Sequence, residues 1–278
     1  MTDLQTKVKK LFRDNSMDIL LGWTTDDTNN VQPCLFTVKD DISKLVFNDR
    51  CVENLVTYLP AMLKQHQKVG IIAKGCDGRA LVTLLSEKQI DRERVIILAP
   101  VCNGVTAKNE KLPKCEDCAA HTAPVADHSF DDPEAASSPG FNQLQQVESL
   151  SYEERWKFFK EHFNRCNRCY ACRQICPLCY CETCIVDQQD PQWIDPSSKL
   201  TANTMWHLIR AYHLAGRCAD CGECERVCPE HIPLRLLNTS LEKAIITMFN
   251  TRPGLVLDSL PVLVVFNKEG DKGLMESA

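Results

Sequence analysis

The sequence predicts two architectures in one chain. An α/β N-terminal unit, with a small parallel or mixed sheet containing a βαβ crossover, precedes an α-helical segment organised around cysteines. Three observations predict this. The stretch KVGIIAKGCDGRALVTLLSEKQIDRERVIILAPVCNG reads as strand, helix, strand. Two later runs, CNRCYACRQICP from Cys166 to Pro177 and CADCGECERVCP from Cys218 to Pro229, share the spacing CxxCxxCxxxCP. Between these regions, AHTAPVADHSFDDPEAASSPGFNQL is rich in Pro, Ala, Ser and Asp and has neither helical nor strand period, the mark of a linker.

Taken in order, residues 1–120 form the α/β unit. Asp3 to Asn15 has the apolar spacing of an amphipathic helix, and MDILLGWTT and KLVFND read as strands. ENLVTYLPAMLKQ is expected to be helical, with an interruption at Pro60. Val69 to Ala73 is a buried strand, and a turn carries Gly75, Cys76 and Gly78. Ala80 to Gln89 is a helix and Val95 to Ala99 a strand. A strand, helix and strand so closely joined are expected to place the two strands parallel. Residues 121–148 are expected to be linker. Residues 149–250 form the cysteine-rich helical domain, entered through a helix that Ser151 caps and Glu154 closes as a capping box. TANTMWHLIRAYHLAG is a helix ended by Gly216, and PLRLLNTSLEKAIITMF is another. Residues 251–278 are an apolar tail with a charged end, expected to pack on its own domain or dock on a partner. LPVLVVF within it suits a buried strand.

The spacing of the two runs carries the chemistry. Three thiolates on a short loop can each take one iron of a cubane, and the fourth, before proline, reaches the other cluster. Cys166, Cys169, Cys172 and Cys228 are therefore expected to hold one 4Fe–4S cluster. Cys218, Cys221, Cys224 and Cys176 are expected to hold a second. Structural zinc favours two separated CxxC pairs and leaves the extra cysteines unused. Residues 160–235 in this way resemble the bacterial dicluster ferredoxins, with a longer connection between the runs.

Nine of the 17 cysteines remain. Cys76 and Cys102 follow successive strands of the βαβ unit, the edge where parallel sheets place their sites. Cys76 opens a helix, whose dipole favours a thiolate. With Cys115 and Cys118 they make four thiolates, suited to a third 4Fe–4S cluster or to zinc. Cys179, Cys181 and Cys184 in PLCYCETC suggest a fourth cluster or a zinc site, with Cys51 as the distant ligand. Cys34 alternates with strand residues and reads as a core thiol. Arg165, Arg168, Arg173, Arg217 and Arg226 lie in or beside the runs. They either favour the reduced, more anionic clusters or pair with acids such as Glu223 and Glu225. His213 and His231 flank the second run.

KGCDGRALVTLLSEKQIDRERVIILAPVCNGV followed by a CxxC resembles the iron–sulfur flavoprotein β-subunits of deazaflavin-coenzyme-reducing hydrogenases and formate dehydrogenases. The likeness spans residues 45–120, and its motif positions are Cys76, Cys102, Cys115 and Cys118. It implies a subunit of a redox complex that exchanges electrons with a formate dehydrogenase, a hydrogenase or a heterodisulfide-reductase-type partner. That family typically binds FAD. Here the chain passes from the CxxC into the linker and the ferredoxin-like runs, and carries no GxGxxG, so FAD is not expected. Gly75 and Gly78 are the cofactor-binding candidates if a flavin or phosphate does bind.

Composition narrows the function further. A net charge of −5 argues against nucleic acid. The N-terminus lacks the apolar core of a signal peptide, and no apolar run approaches a membrane span. A cytoplasmic location is expected, where thiols stay reduced and serve as metal ligands. Several oxygen-labile clusters suit an anaerobic prokaryote. No catalytic residue stands out. The expectation is a multi-cluster electron-transfer subunit. The alternative is a FAD-bearing subunit that reduces a deazaflavin or nicotinamide coenzyme.

Overall fold

The computed structural model describes residues 2–130, 140–259 and 262. The chain begins with α1 (Asp3–Arg13), which Thr2 and Gln5 close with a capping box. Leu4, Val8, Leu11 and Phe12 form its buried stripe, at the spacing a helix needs to face one core. Strand β1 (Ile19–Thr25) is central and almost wholly buried. It pairs antiparallel with β2 (Val31–Phe36) and, through its C-terminal half, with β3 (Leu45–Val46). Its N-terminal half pairs parallel with β4 (Val69–Ile72), which pairs parallel with β5 (Val95–Pro100). The sheet is therefore mixed, as expected, and the βαβ strands are parallel.

Local differences from the sequence reading have simple causes. Pro60 does not interrupt a helix; it lies in the first turn of α2 (Leu59–Leu63), where its missing N–H is no loss. Helix α3 is Gly75–Ser86, so Gly75, Cys76 and Gly78 are its first turn rather than a preceding turn. The Lys74 backbone N–H donates to Asp77 Oδ2 and starts the helix there. Lys88, at φ 55°, ends it before Gln89. The stretch expected to be linker supplies a fifth rung: β8 (His128–Phe130) pairs parallel with β5. Between them lie the small hairpin β6 (Thr106–Ala107) and β7 (Glu110–Lys111), and the single turn α4 (Pro113–Glu116). Helix α5 (Asn142–Glu148) follows, in the same expected linker.

Helix α6 (Tyr152–Asn164) carries the expected Ser151/Glu154 capping box. The two cysteine runs then adopt matching backbones. Arg168 and Asp220, each two residues after the first cysteine, have φ of 60° and 53°. Tyr170 and Gly222, each after the second cysteine, have φ of 58° and 71° and start the single turns α7 (Ala171–Gln174) and α9 (Glu223–Arg226). The two turns pack on each other. Helix α8 (Leu200–His213) lies between the runs and packs on α6 and on α10 (Leu234–Phe249). Of the tail, Pro253 and Leu257 accept hydrogen bonds from α3, so its described part packs on the chain itself. LPVLVVF lies outside the described residues except for Val262.

Two apolar cores result. One wraps the sheet and includes Leu178, Leu214 and Ala219 from the cysteine-rich region. The other holds Phe163, Trp206, Ile232 and Leu234 beside Cys172 and Cys224. No described helix is long and apolar enough to cross a membrane.

Candidate metal centres

Cys176, Cys218, Cys221 and Cys224 line one cavity. This is the expected second set, with Cys176 crossing over from the first run. Pro177, Arg210, Arg235 and Asn238 line it too. Burial raises the Cys221 thiol to about 12, Glu223 and Cys176 add to the rise, and Lys114 opposes it. The first set also gathers. Burial raises Cys172; Arg210 lowers it, and thiolates at Cys166, Cys228 and Cys169 would raise it further. Cys172 and Cys224 are buried, whereas Cys169 is exposed. The long-range pairing of each run's fourth cysteine with the other run is thus present.

The third set sits at the C-terminal edge of β4 and β5. Cys115 Sγ accepts from the Val105 N–H at 3.3 Å, and Cys118 Sγ accepts from Ala120 N–H at 3.4 Å. Burial raises Cys102, and Cys115 is among its charged neighbours. Cys76, at the start of α3, is raised well above its usual value, first by burial and then by Asp77; Cys221 also acts on it. The third set therefore borders the second. Lys114 stands between them, buried, and its Nζ donates to the Cys221 carbonyl at 2.6 Å. Lys74 is buried on the other flank. Its Nζ donates to the Glu53 carbonyl, pairs with Asp77 at 3.0 Å and lies 4.3 Å from the Trp23 ring centre.

The fourth set is not assembled as expected. Cys179, Cys181 and Cys184 line a separate cavity with Arg173, Arg210, Arg217 and His213. Cys51 is elsewhere, in the sheet core, where Cys102, Lys74 and Glu53 are its charged neighbours and burial raises it to about 11. Cys51 follows β3 and is fully buried in the sheet core. Cys179 instead contacts Cys176, and the hydrogen bond between the two lowers the Cys176 thiol. Cys34 is half-buried against the sheet core.

Gly75 and Gly78 do not form a phosphate cradle. A Cβ on Gly75 would lie 1.8 Å from the Ala120 carbonyl oxygen, and one on Gly78 would lie 2.4 Å from Ala123 Cα. The main chain of the 119–124 loop occupies the space above the helix start, so these glycines serve close packing.

The arginines divide sharply. Arg173 pairs with Asp187, Arg217 with Glu87 and Arg226 with Glu223. Arg165 is exposed beside His162. Arg168 is buried, donates to the Asp195 and Ala202 carbonyls and flanks Tyr170 and Trp206. Arg210 was missed by the motif reading because it lies in α8, outside both runs. The signal was there: Asn203, Trp206, His207 and Arg210 fall on one helical stripe, and all are buried. Arg210 has no carboxylate ion pair among the described residues. Burial opposes its charge, and thiolates at Cys224, Cys176, Cys179 and Cys172 outweigh that cost.

A buried cation with cysteines around it and no carboxylate ion pair is compensated when those sulfurs are anionic, and metal binding deprotonates thiols outright. The donor sets fit thiolate-ligated clusters. Among the described residues no three Cys, His, Asp or Glu side chains converge on one ion, whereas a cubane gives each thiolate its own iron.

No family profile matches the chain. It is similar to the F420-dependent formate dehydrogenase subunit beta of Methanocaldococcus jannaschii, 37% identical over 117 residues, which is 42% of this chain and 28% of that protein. It is also similar to the F420-dependent formate dehydrogenase 1 subunit beta of Methanococcus maripaludis, 31% identical over 114 residues, or 40% of this chain and 29% of the relative. The chain thus matches less than a third of the length of these curated relatives. Both relatives are subunits of oxidoreductase complexes, in keeping with the expected β-subunit likeness.

Proposed function

We propose that the chain is an iron–sulfur electron-transfer subunit of a cytoplasmic oxidoreductase complex of formate dehydrogenase, hydrogenase or heterodisulfide-reductase type. The observation that carries this reading is the single cavity lined by Cys176, Cys218, Cys221 and Cys224. Those four come from two runs 42 residues apart at their nearest members, Cys176 and Cys218, in the pairing that a dicluster ferredoxin requires. Cys166, Cys169, Cys172 and Cys228 would hold the other ferredoxin-type cluster, and Cys76, Cys102, Cys115 and Cys118 a third. Such clusters, when bound, supply one-electron carriers.

In this reading the chain's own residues would set the order of the three sites. Lys114 joins the third site to Cys221, and Arg210 joins the second site to Cys172 through its hydrogen bond to that carbonyl. The second site is therefore the middle of the row. The two relatives' names support a formate dehydrogenase complex as the setting.

The test is iron, zinc, acid-labile sulfide and flavin per chain after anaerobic purification. About 12 irons, at four per cluster, support the reading. About 8 irons would confine it to the ferredoxin-like region, and fewer would refute it. Stoichiometric flavin would favour the coenzyme-reducing alternative. Cys176→Ser is expected to remove iron and block electron transfer through the assembled complex, while Cys34→Ser leaves both intact.

A further inference from the structure

Arg210 stands where three cysteine groups meet. It lines the cavity of Cys176, Cys218, Cys221 and Cys224. It also lines the neighbouring cavity of Cys179, Cys181 and Cys184. Its guanidinium donates to the Cys172 carbonyl at 3.0 Å, which ties it to the first set. The residue is 5% exposed.

Its isolation from carboxylates distinguishes it from its neighbours. Arg235 borders the same second-site cavity but is spent on Asp220, at 2.6 Å. Arg217 borders the outer cavity but is paired with Glu87. Arg168 lacks an acid among the described residues, yet its contacts lie on the side of the first run alone. Among the described residues, Arg210 is the buried charge without a carboxylate ion pair that borders cysteines of both runs.

A fixed cation in a poorly solvated place stabilises whichever redox state is more negative. We propose that Arg210 is a positioning residue whose charge sets the reduction potentials of the two ferredoxin-type sites together. This rests on the cluster reading proposed above. It makes the two potentials move as a pair, since one charge lies against ligands of both. Removing the charge disfavours the reduced state at each site, so both potentials fall.

The test compares wild type, Arg210→Gln and Arg210→Lys, each purified anaerobically in full length. Iron and sulfide are measured first, and EPR-monitored redox titration follows. In Arg210→Gln, the reduced-to-oxidised ratio of both clusters at their wild-type midpoints is expected to fall at least about tenfold, equal to ~59 mV for one electron. Arg210→Lys, which keeps the charge, is expected to return both midpoints toward wild type. Iron loss in the Gln variant with retention in the Lys variant also supports a role for the charge. Unchanged midpoints in an iron-replete Gln variant would overturn the proposal. So would a shift at one cluster alone, or equal shifts or equal iron loss in both variants. Fewer than about 8 irons in wild type would instead sink the cluster reading, which separates the two failures.

Discussion

Glu242→Gln tests what joins the sheet to the cysteine-rich helices. Glu242, 3% exposed on α10, accepts from Arg79 of α3 at 2.7 Å and from Arg252 Nε at 3.0 Å. Arg79, 2% exposed, also donates to the Pro253 and Cys218 carbonyls. Burial raises the Glu242 carboxyl, but Arg79 and then Arg252 pull it below its ordinary 4.5. Its stabilising share is thus complete above that value and lost as pH falls through the lower folded value. Glutamine keeps the shape and one acceptor but leaves two guanidiniums without their anion. Breaking a buried pair costs about 3–5 kcal/mol. At about 2 °C per kcal/mol for a chain of this size, the melting temperature should fall by roughly 6–10 °C. The assay is far-UV circular dichroism of the anaerobically purified protein at one scan rate, since an irreversible melt depends on that rate. Lys243→Gln, which breaks the half-exposed pair with Glu148, is the control. It should cost no more than about 1 kcal/mol. Equal shifts in the two variants would refute the argument from burial.

Two further outcomes follow from local geometry. His207 is buried against Phe163, and burial, then Arg210 and Arg168, lowers it from 6.5 to about 3. Protons therefore favour the unfolded chain between those values, and wild type loses stability as pH falls below 6.5. His207→Phe should lose about 2 kcal/mol less than wild type between pH 7.5 and pH 5, measured by denaturant unfolding of the apoprotein; parallel pH profiles would contradict this. Gly75→Ala should destabilise by about 1–3 kcal/mol through the clash with the Ala120 carbonyl. Helix propensity alone predicts a gain of up to about 1 kcal/mol there, so the sign of the change decides between them.

Local signals were legible where one or two residues dictate the outcome. Ser151 and Glu154 announced the start of α6, and valine and isoleucine runs announced β4 and β5. The cysteine spacing indicated which thiols gather from the two runs. Other features depend on partners distant in sequence. His128–Phe130 is too short and too polar to read as a strand, and becomes one because β5 offers an open edge. Cys51 looked like a ligand for PLCYCETC, but burial under the sheet holds it near Cys102. Glycine at 75 and 78 suggested a phosphate turn, when the requirement is the close approach of residues 120 and 123. Arg210 shows no motif at all; its meaning lies in what surrounds it.

Helix α3 explains why the two regions act as one structure. Its sequence, GCDGRALVTLLS, shows little contrast between faces, and nearly every residue from Gly75 to Leu84 is buried. A helix buried all round has a partner on each side. Leu81 and Leu84 belong to the sheet core. Arg79, Thr83 and Ser86, at helical spacing, bond to Cys218, Arg217 and Leu257 carbonyls on the other side. The same helix presents Cys76 at its N-terminus. A single rigid element therefore fixes the third cysteine site relative to the Cys218 run, where the sequence suggested a linker between them. Electron transfer between those sites would then depend on the packing of α3 rather than on the reach of residues 121–148. Arg79→Met, which removes the bond to the Cys218 carbonyl, should accordingly slow electron transfer measured through the assembled complex.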